Sequence, residues 1–466
     1  MNFTSLNFLI FLGLSLIAYY TAPSKMQIWV LNIINLIFCW INSATLFWLI
    51  TLYSVFIYCI AFFLQKYKGK AVILGALFVG ILPLTIFKYI YNYFPETNYF
   101  HLVIPLGISY FSLKGIGYLI DVYKGKCVAE RDFSKLFAFI TFFPELVLGP
   151  IDRSDNLLQQ LQVGKRRFTY ENFVKGAYIL LFGYFEEMVV ALNLGDILNA
   201  IWRTQDQQSG LVLISAMVAY TLQLYLDFSG CSYMAIGLGR MLGFSLPINF
   251  RQPLFAQSVK ELWGRWHISL TSFFKNYIYL PLGGNRKGRI RKWLNILVVF
   301  LVSGLWHGAT FNFIIWGLIN GLFQVLEDML RVDVKKRTRG LLAFFRNIYT
   351  VLVLSFSVVF FRTPTLHEAK VFFEDVGRKI TKIDSVKIVY NTLDIDWRVY
   401  IVVICGVLIV WIVDLLHEKK VSIADNVYKT PFVLQMIVSY GLIFSIVIFG
   451  VYGTSYDASA FIYMQF

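Results

Sequence analysis

Charge is scarce in this chain. Only 15% of its 466 residues are Asp, Glu, Lys or Arg, against about 25% in an average soluble domain, which argues against a water-soluble protein. Cysteine is sparse too. The five, Cys39, Cys59, Cys127, Cys231 and Cys405, show no CxxC spacing, so neither a zinc ribbon nor a disulfide framework is expected. The nucleophile-elbow pattern GxSxG is missing, as are a Walker A loop, a GxGxxG fingerprint and an HExxH helix. These absences set aside the serine triad on an α/β sheet, the P-loop, the dinucleotide fold and the zincin. No low-complexity tract and no repeat of about 20–50 residues is present. The N-terminal stretch is apolar but lacks a basic leader and an AxA site, so it reads as a first span and not as a cleaved signal.

What the chain has in abundance is apolar length. Hydrophobic residues make up 58% and aromatics 18%. The runs, from Phe3–Tyr20 to Phe432–Val451, are continuous and do not alternate, which favours helices over a barrel. The fold class expected is therefore all-α, a polytopic membrane protein forming one domain over residues 1–466, with about eleven crossings. Some runs, among them Leu136–Leu148, Leu211–Leu226 and Met234–Leu246, are shorter than the ~20 residues a crossing needs. They are expected to be re-entrant or broken, buried in protein or lining a cavity. The longest polar interruption, Val371–Trp397, reads as an exposed loop with room for a surface helix.

The net charge of +15 has a bland explanation. Basic residues cluster in short loops, as at Lys66/Lys68/Lys70, Lys165/Arg166/Arg167, Arg286/Lys287/Arg289/Arg291/Lys292 and Arg331/Lys335/Lys336/Arg337/Arg339. This is the positive-inside pattern, and no nucleic-acid partner is expected. The last two clusters flank Trp293–Leu330, too long for one ordinary crossing and just long enough for two short ones. If both flanks are cytosolic the chain must go in and come back, and His307, near the midpoint, is then expected deep in the membrane. Gly304/Gly308 and Gly317/Gly321, each pair four apart, suit close helix packing; Gly308 has the alternative of clearing space for a substrate.

Five histidines are present. His101, His367 and His417 fall near span ends or in loops and read as interfacial. His267 and His307 differ: each follows a tryptophan, and each lies in apolar surroundings on either side of the basic stretch. Burial penalises the imidazolium, so a buried ring stays neutral. A neutral imidazole accepts a proton from a hydroxyl or thiol, which suits acyl transfer. Ser303, one turn before His307, either hydrogen-bonds it or simply packs. No Cys, Asp or Glu ligand set accompanies the two histidines, so no metal is expected.

Several longer stretches carry a family likeness. They are IPLGISYFSLKGIGYLIDVYKG (Ile104–Gly125), FFPELVLGPIDR (Phe142–Arg153), YLDFSGCSYMAIGLGRMLGFSLPINFRQP (Tyr225–Pro253), RWHISL with YIYLPLGGNR (within Glu261–Arg286) and SGLWHGAT (Ser303–Thr310). In this order they closely resemble the membrane-bound O-acyltransferase (MBOAT) family, above all the bacterial branch that contains the alginate O-acetylation protein. The likeness covers most of Ile104–Phe361 and returns at the C-terminus. The chain departs from that branch at Tyr233, where Asp is usual, and at Glu186–Glu187, where a Lys pair is usual.

The resemblance implies a ring of helices around a central tunnel, in which a cytosolic thioester donor meets an acceptor from the other side. It implies that His307 is the main catalytic histidine, with His267 near it along the tunnel. The donor implied is acetyl-CoA or an acyl-carrier thioester, with no permanently bound cofactor. The basic group containing Arg286, Lys287 and Arg289 reads either as a topology determinant or as a contact for the donor's phosphates or an acidic carrier protein. In exporting members a terminal Tyr in a motif like ASAFIYMQF is proposed to carry the acyl group, which makes Tyr463 a candidate carrier; an aromatic anchor is the alternative. The expected activity is acyl transfer, acetyl foremost, towards an extracytoplasmic polysaccharide through a partner transferase, in the bacterial cytoplasmic membrane. The competing readings are D-alanyl transfer from a carrier protein for teichoic acid, and a non-enzymatic exporter.

Overall fold

The computed structural model describes residues 1, 3–94, 97–98, 103–162, 166–332, 337–382 and 392–452. Among them every regular element is helical, so the all-α expectation holds. Continuous apolar runs leave the backbone no partner outside the segment, and an α-helix satisfies its own N–H and C=O groups. Among the described residues, seven helices are long and apolar enough to cross a membrane: Ala44–Lys66, Lys70–Tyr93, Tyr170–Arg203, Gly210–Met241, Gly340–Arg362, Trp397–Glu418 and Phe432–Phe449. Leu6–Thr21 and Gln27–Asn42 are shorter apolar helices. The chain is a multi-pass membrane protein.

It divides into two compact units, one of Met1–Leu181 with Cys231–Ile248, the other of Phe182–Gly230 with Asn249–Phe466. In the first unit the Leu136–Leu148 run is not a crossing. It forms two short helices, α1 (Phe133–Thr141) and α2 (Phe143–Leu146). The chain breaks between them at Phe142, where Pro144 opens the second helix, and Asn35 accepts from the freed Phe143 N–H at 3.1 Å. Both helices are buried, as a broken apolar segment must be. Glu145 at this break pairs with the equally buried Lys114 of α-helical Ile108–Tyr123.

In the second unit, polar side chains inside apolar helices find partners within the protein. Thr221 donates to Ser355 at 2.7 Å, Tyr225 to Asp414 at 2.9 Å, and Ser229 to Glu186. These residues belong to Gly210–Met241, a single helix of 32 residues. Two separate runs, Leu211–Leu226 and Met234–Leu246, were expected there. Because Asp227, Ser229 and Ser232 are all buried and Ser229 has a partner in place of water, the polar patch does not interrupt the helix. The polar interruption after Val371 begins inside a capped helix, Leu366–Arg378, where Thr365 accepts from the Glu368 N–H; residues 383–391 lie outside those described.

Candidate active site

The site is built by a helical hairpin and by the turn that precedes it. Helix α3 (Gly288–His307) ends in Gly308, and helix α4 (Phe311–Met329) begins three residues later. A return of the chain was expected for Trp293–Leu330, and the two helices form a hairpin there; neither arm is among the seven long apolar helices. Glycines let the two backbones touch: a Cβ on Gly304 would stand 2.3 Å from the Phe313 carbonyl oxygen, and one on Gly317 would stand 2.3 Å from that of Phe300. Packing is therefore their role. A Cβ on Gly308 would sit 2.2 Å from the Phe313 ring, so the space that Gly308 leaves is filled by an aromatic side chain. At the open end Asp328 pairs with Lys292 and accepts from the Trp293 indole at 2.8 Å.

His307, at the closed end, is 4% exposed. Its imidazole lies among four aromatic rings: Trp306 at 4.8 Å, Trp316 at 5.0 Å, Phe361 at 5.1 Å and Phe313 at 6.4 Å between centroids. Three of these meet it edge-on and Phe313 is stacked. Ser303 is buried one turn earlier on α3.

His267 reaches the same place from the other side. The short helix Val259–Trp263 is capped by Ser258 and by Glu327 of α4, whose carboxylate accepts from the Val259 and Lys260 N–H groups at 2.6 and 3.2 Å. Trp263 donates to Asn320 at 3.2 Å and packs 5.4 Å from Trp316. The chain then turns through His267, which adopts a left-handed backbone (φ 44°, ψ 53°), and enters the short helix Ile268–Phe274. Such a conformation costs a non-glycine residue about 1 kcal/mol. The turn is held by two backbone bonds to a passing strand of coil, Arg251 N–H to Arg265 O and Ile268 N–H to Asn249 O, both 2.9 Å.

The His267 ring is 2% exposed, 4.6 Å from Phe228 and 6.1 Å from Trp306. The two histidines therefore share one indole, that of Trp306. His267 lies in a connection outside the seven long apolar helices, and burial holds its imidazole well below the usual value, at about 3. It is neutral at physiological pH. Its Nδ1 faces Asn249 Oδ1 at 3.1 Å, while Nε2 is buried with no hydrogen-bond partner among the described residues.

Arg265, two residues before His267, joins an alternating charge cluster. It binds Glu418 at 2.8 Å and Glu261 at 2.9 Å, and Arg337 binds the same two carboxylates. The segment leading into His267 is thereby tied to the end of Trp397–Glu418.

The other expected site residues lie elsewhere. Arg286, Lys287 and Arg289 are exposed at the start of α3, and among the described residues no ion pair is formed by any of them. A 20-residue helix at 1.5 Å per residue separates them from His307 by about 30 Å. Tyr463 and His101 fall outside the described residues. His367 is exposed and His417 half-buried. Asn249 and Phe361 were not anticipated; the Trp preceding each histidine was the one visible hint of the shared indole.

Residues 131–361 match the model of the membrane-bound O-acyltransferase family. A probable alginate O-acetylase of Pseudomonas putida is 38% identical over 269 residues, 58% of this chain and 54% of that protein. A peptidoglycan O-acetyltransferase of Helicobacter pylori is 32% identical over 341 residues, 66% of this chain and 64% of that protein. A teichoic acid D-alanyltransferase of Bacillus subtilis is 27% identical over 285 residues, 58% of this chain and 72% of that protein. The chain spans about half the length of the alginate O-acetylases it matches.

Proposed function

We propose, from the premise that this chain belongs to the membrane-bound O-acyltransferase family, that it is an O-acyltransferase moving an acyl group, acetyl foremost, from a cytosolic thioester towards a cell-surface polysaccharide. Residues 1–466 act as one membrane domain of the bacterial cytoplasmic membrane, and an extracytoplasmic transferase completes delivery. The observation that carries this reading is the pair of buried imidazoles on one indole, His307 and His267 about Trp306.

The chemistry is as follows. A hydroxyl oxygen attacks the thioester carbonyl carbon; the new C–O bond forms and the C–S bond breaks. The hydroxyl proton passes to an imidazole nitrogen and from there to the departing thiolate, so the products are an ester and a thiol. His307 is the general base, or carries the acyl group between donor and acceptor, and His267 is the second proton acceptor. Only the acyl group crosses, which avoids the cost of moving a charged donor through hydrocarbon. Arg286, Lys287 and Arg289 bind the donor's phosphates or an acidic carrier protein. With about 30 Å of helix between that loop and His307, one donor engages both only if its thioester rides on an extended arm. Tyr463 is the proposed acyl carrier; Tyr463→Phe should stop polymer acylation, and a normal rate in that variant would remove Tyr463 from the route.

Purified protein incubated with radiolabelled acetyl-CoA, or with carrier protein loaded with acetyl or D-alanyl groups, tests the whole reading. Label retained by the parent and lost in His307→Ala supports the enzyme and identifies the donor. Labelling by D-alanyl carrier alone would favour teichoic acid modification, the reading that the Bacillus subtilis relative supports. Flux through the protein with no dependence on a thioester would make it an exporter and refute the proposal.

A further inference from the structure

Asn249 belongs to no helix, yet it is 1% exposed and faces His267. Its Oδ1 lies 3.1 Å from His267 Nδ1, 2.9 Å from the Ser269 hydroxyl and 3.3 Å from the Ser269 backbone N–H. A backbone N–H only donates, so the atom it meets is the amide oxygen and not the nitrogen. An amide oxygen only accepts. The His267 nitrogen facing it must therefore carry the proton, and in a neutral ring the lone pair then falls on Nε2. Nε2 is the atom that is buried without a partner among the described residues.

The hold on Asn249 is itself rigid. Its own carbonyl accepts the Ile268 N–H at 2.9 Å. Two residues on, Arg251 donates its N–H to Arg265 O, and the Arg265 guanidinium returns to Arg251 O at 3.2 Å. The left-handed turn at His267 and the amide that orients the ring are thus parts of one small construction.

We propose that Asn249 is a positioning residue for acyl transfer. It fixes the tautomer of His267 that presents a bare Nε2 to the hydroxyl proton. The proposal rests on the reading of His267 as a proton acceptor in this reaction. An imidazole in the other tautomer would present an N–H and could take no proton at that atom. Losses of about 10–100-fold are typical when a group that orients a metal-ligating histidine is removed, and a wrong tautomer in a serine triad costs about 10⁴-fold.

The test uses the full chain in lipid bilayers, labelled with 15N-histidine. The His267 signals are those missing from His267→Asn. In the parent protein Nδ1 should carry the proton and Nε2 should show the shift of an unprotonated nitrogen. Asn249→Leu should mix the tautomers and lower the transfer rate about 10–100-fold, measured with whichever thioester labels the parent. Asn249→Asp, which keeps an acceptor at the same point, should restore the Nδ1–H tautomer and most of the rate. A parent spectrum with the proton on Nε2 would overturn the proposal without recourse to any Asn249 variant. So would Asn249→Asp that folds but is no more active than Asn249→Leu. An unchanged rate in His267→Asn would refute the functional reading, and the positioning role with it. A lost rate in His267→Asn beside a normal rate in Asn249→Leu would refute the positioning role alone.

Discussion

Gly304→Ala is the sharpest probe of the hairpin. The added methyl would stand 2.3 Å from the Phe313 carbonyl oxygen, where carbon–oxygen contacts between packed helices run at about 3.3–3.6 Å. Backbone cannot swing aside as a long side chain can, so α3 and α4 must part by about 1 Å at the level of His307. Overpacking of this kind costs about 1–3 kcal/mol. Against it stands the helix propensity gained when Ala replaces Gly, about 0.8–1.0 kcal/mol. Gly441→Ala isolates the second effect, because nothing among the described residues lies within 4 Å of a Cβ there and the residue is inside helix Phe432–Phe449. The two variants should therefore differ in stability by about 1–3 kcal/mol, Gly304→Ala being the weaker. The seam also sets where Trp316 and Phe313 meet the His307 ring, and a displacement of 1 Å costs about 100-fold in rate. Thermal unfolding in detergent and initial rates of thioester-dependent labelling give both readouts. If Gly304→Ala melts with Gly441→Ala and turns over at the parental rate, the close backbone contact is not what holds the site.

Three further outcomes follow from the same kind of reasoning. Lys114→Met leaves Glu145 buried without its cation and should cost about 3–5 kcal/mol, most of which Lys114→Met combined with Glu145→Met should recover; equal damage in the single and double variants would show that the pair is not the issue. His267 is held at about 3 when folded and at about 6.5 when exposed, so the unfolded chain takes up the proton first. Its contribution to stability is then complete above about pH 6.5 and falls as the pH drops towards 3, by about 2 kcal/mol at pH 5. Melting at pH 7 and pH 5 should show a smaller acid loss in His267→Asn than in the parent, and identical losses would contradict a buried neutral ring. Replacing Arg286, Lys287 and Arg289 together by Ala should raise KM for the thioester and flatten its salt dependence while leaving kcat unchanged, since the loop lies about 30 Å from His307; a lower kcat with unchanged KM would place the loop's role elsewhere.

Much of this was legible from residue order. The long apolar runs imposed helices, and the two basic clusters around Trp293–Leu330 imposed a return path, because a stretch of that length fits two short helices and not one. Burial of His267 and His307 followed from their apolar neighbours. What misled was the patch DFSGCSY within Gly210–Met241: read along the chain it is a polar gap, but Ser229 and the nearby Tyr225 are answered by Glu186 and Asp414, more than 40 and 180 residues away. Hydropathy along the sequence has no access to partners that distant. Asn249 was invisible for a related reason. An asparagine in coil normally signals a turn, and nothing local shows that its amide faces an imidazole eighteen residues on. Conversely Phe361 declared only its apolarity, and the ring it lays against His307 is a product of packing.

The backbone of His267 narrows how that position can be interrogated. At φ 44° and ψ 53°, Asn and Asp are accommodated nearly as well as His, whereas branched or bulky side chains are not. A Val or Ile scan there would unmake the bend as well as remove the imidazole, and any lost turnover would report both. Asn keeps the bend and deletes the imidazole, so it separates chemistry from conformation, and a directed library at this codon has few honest members.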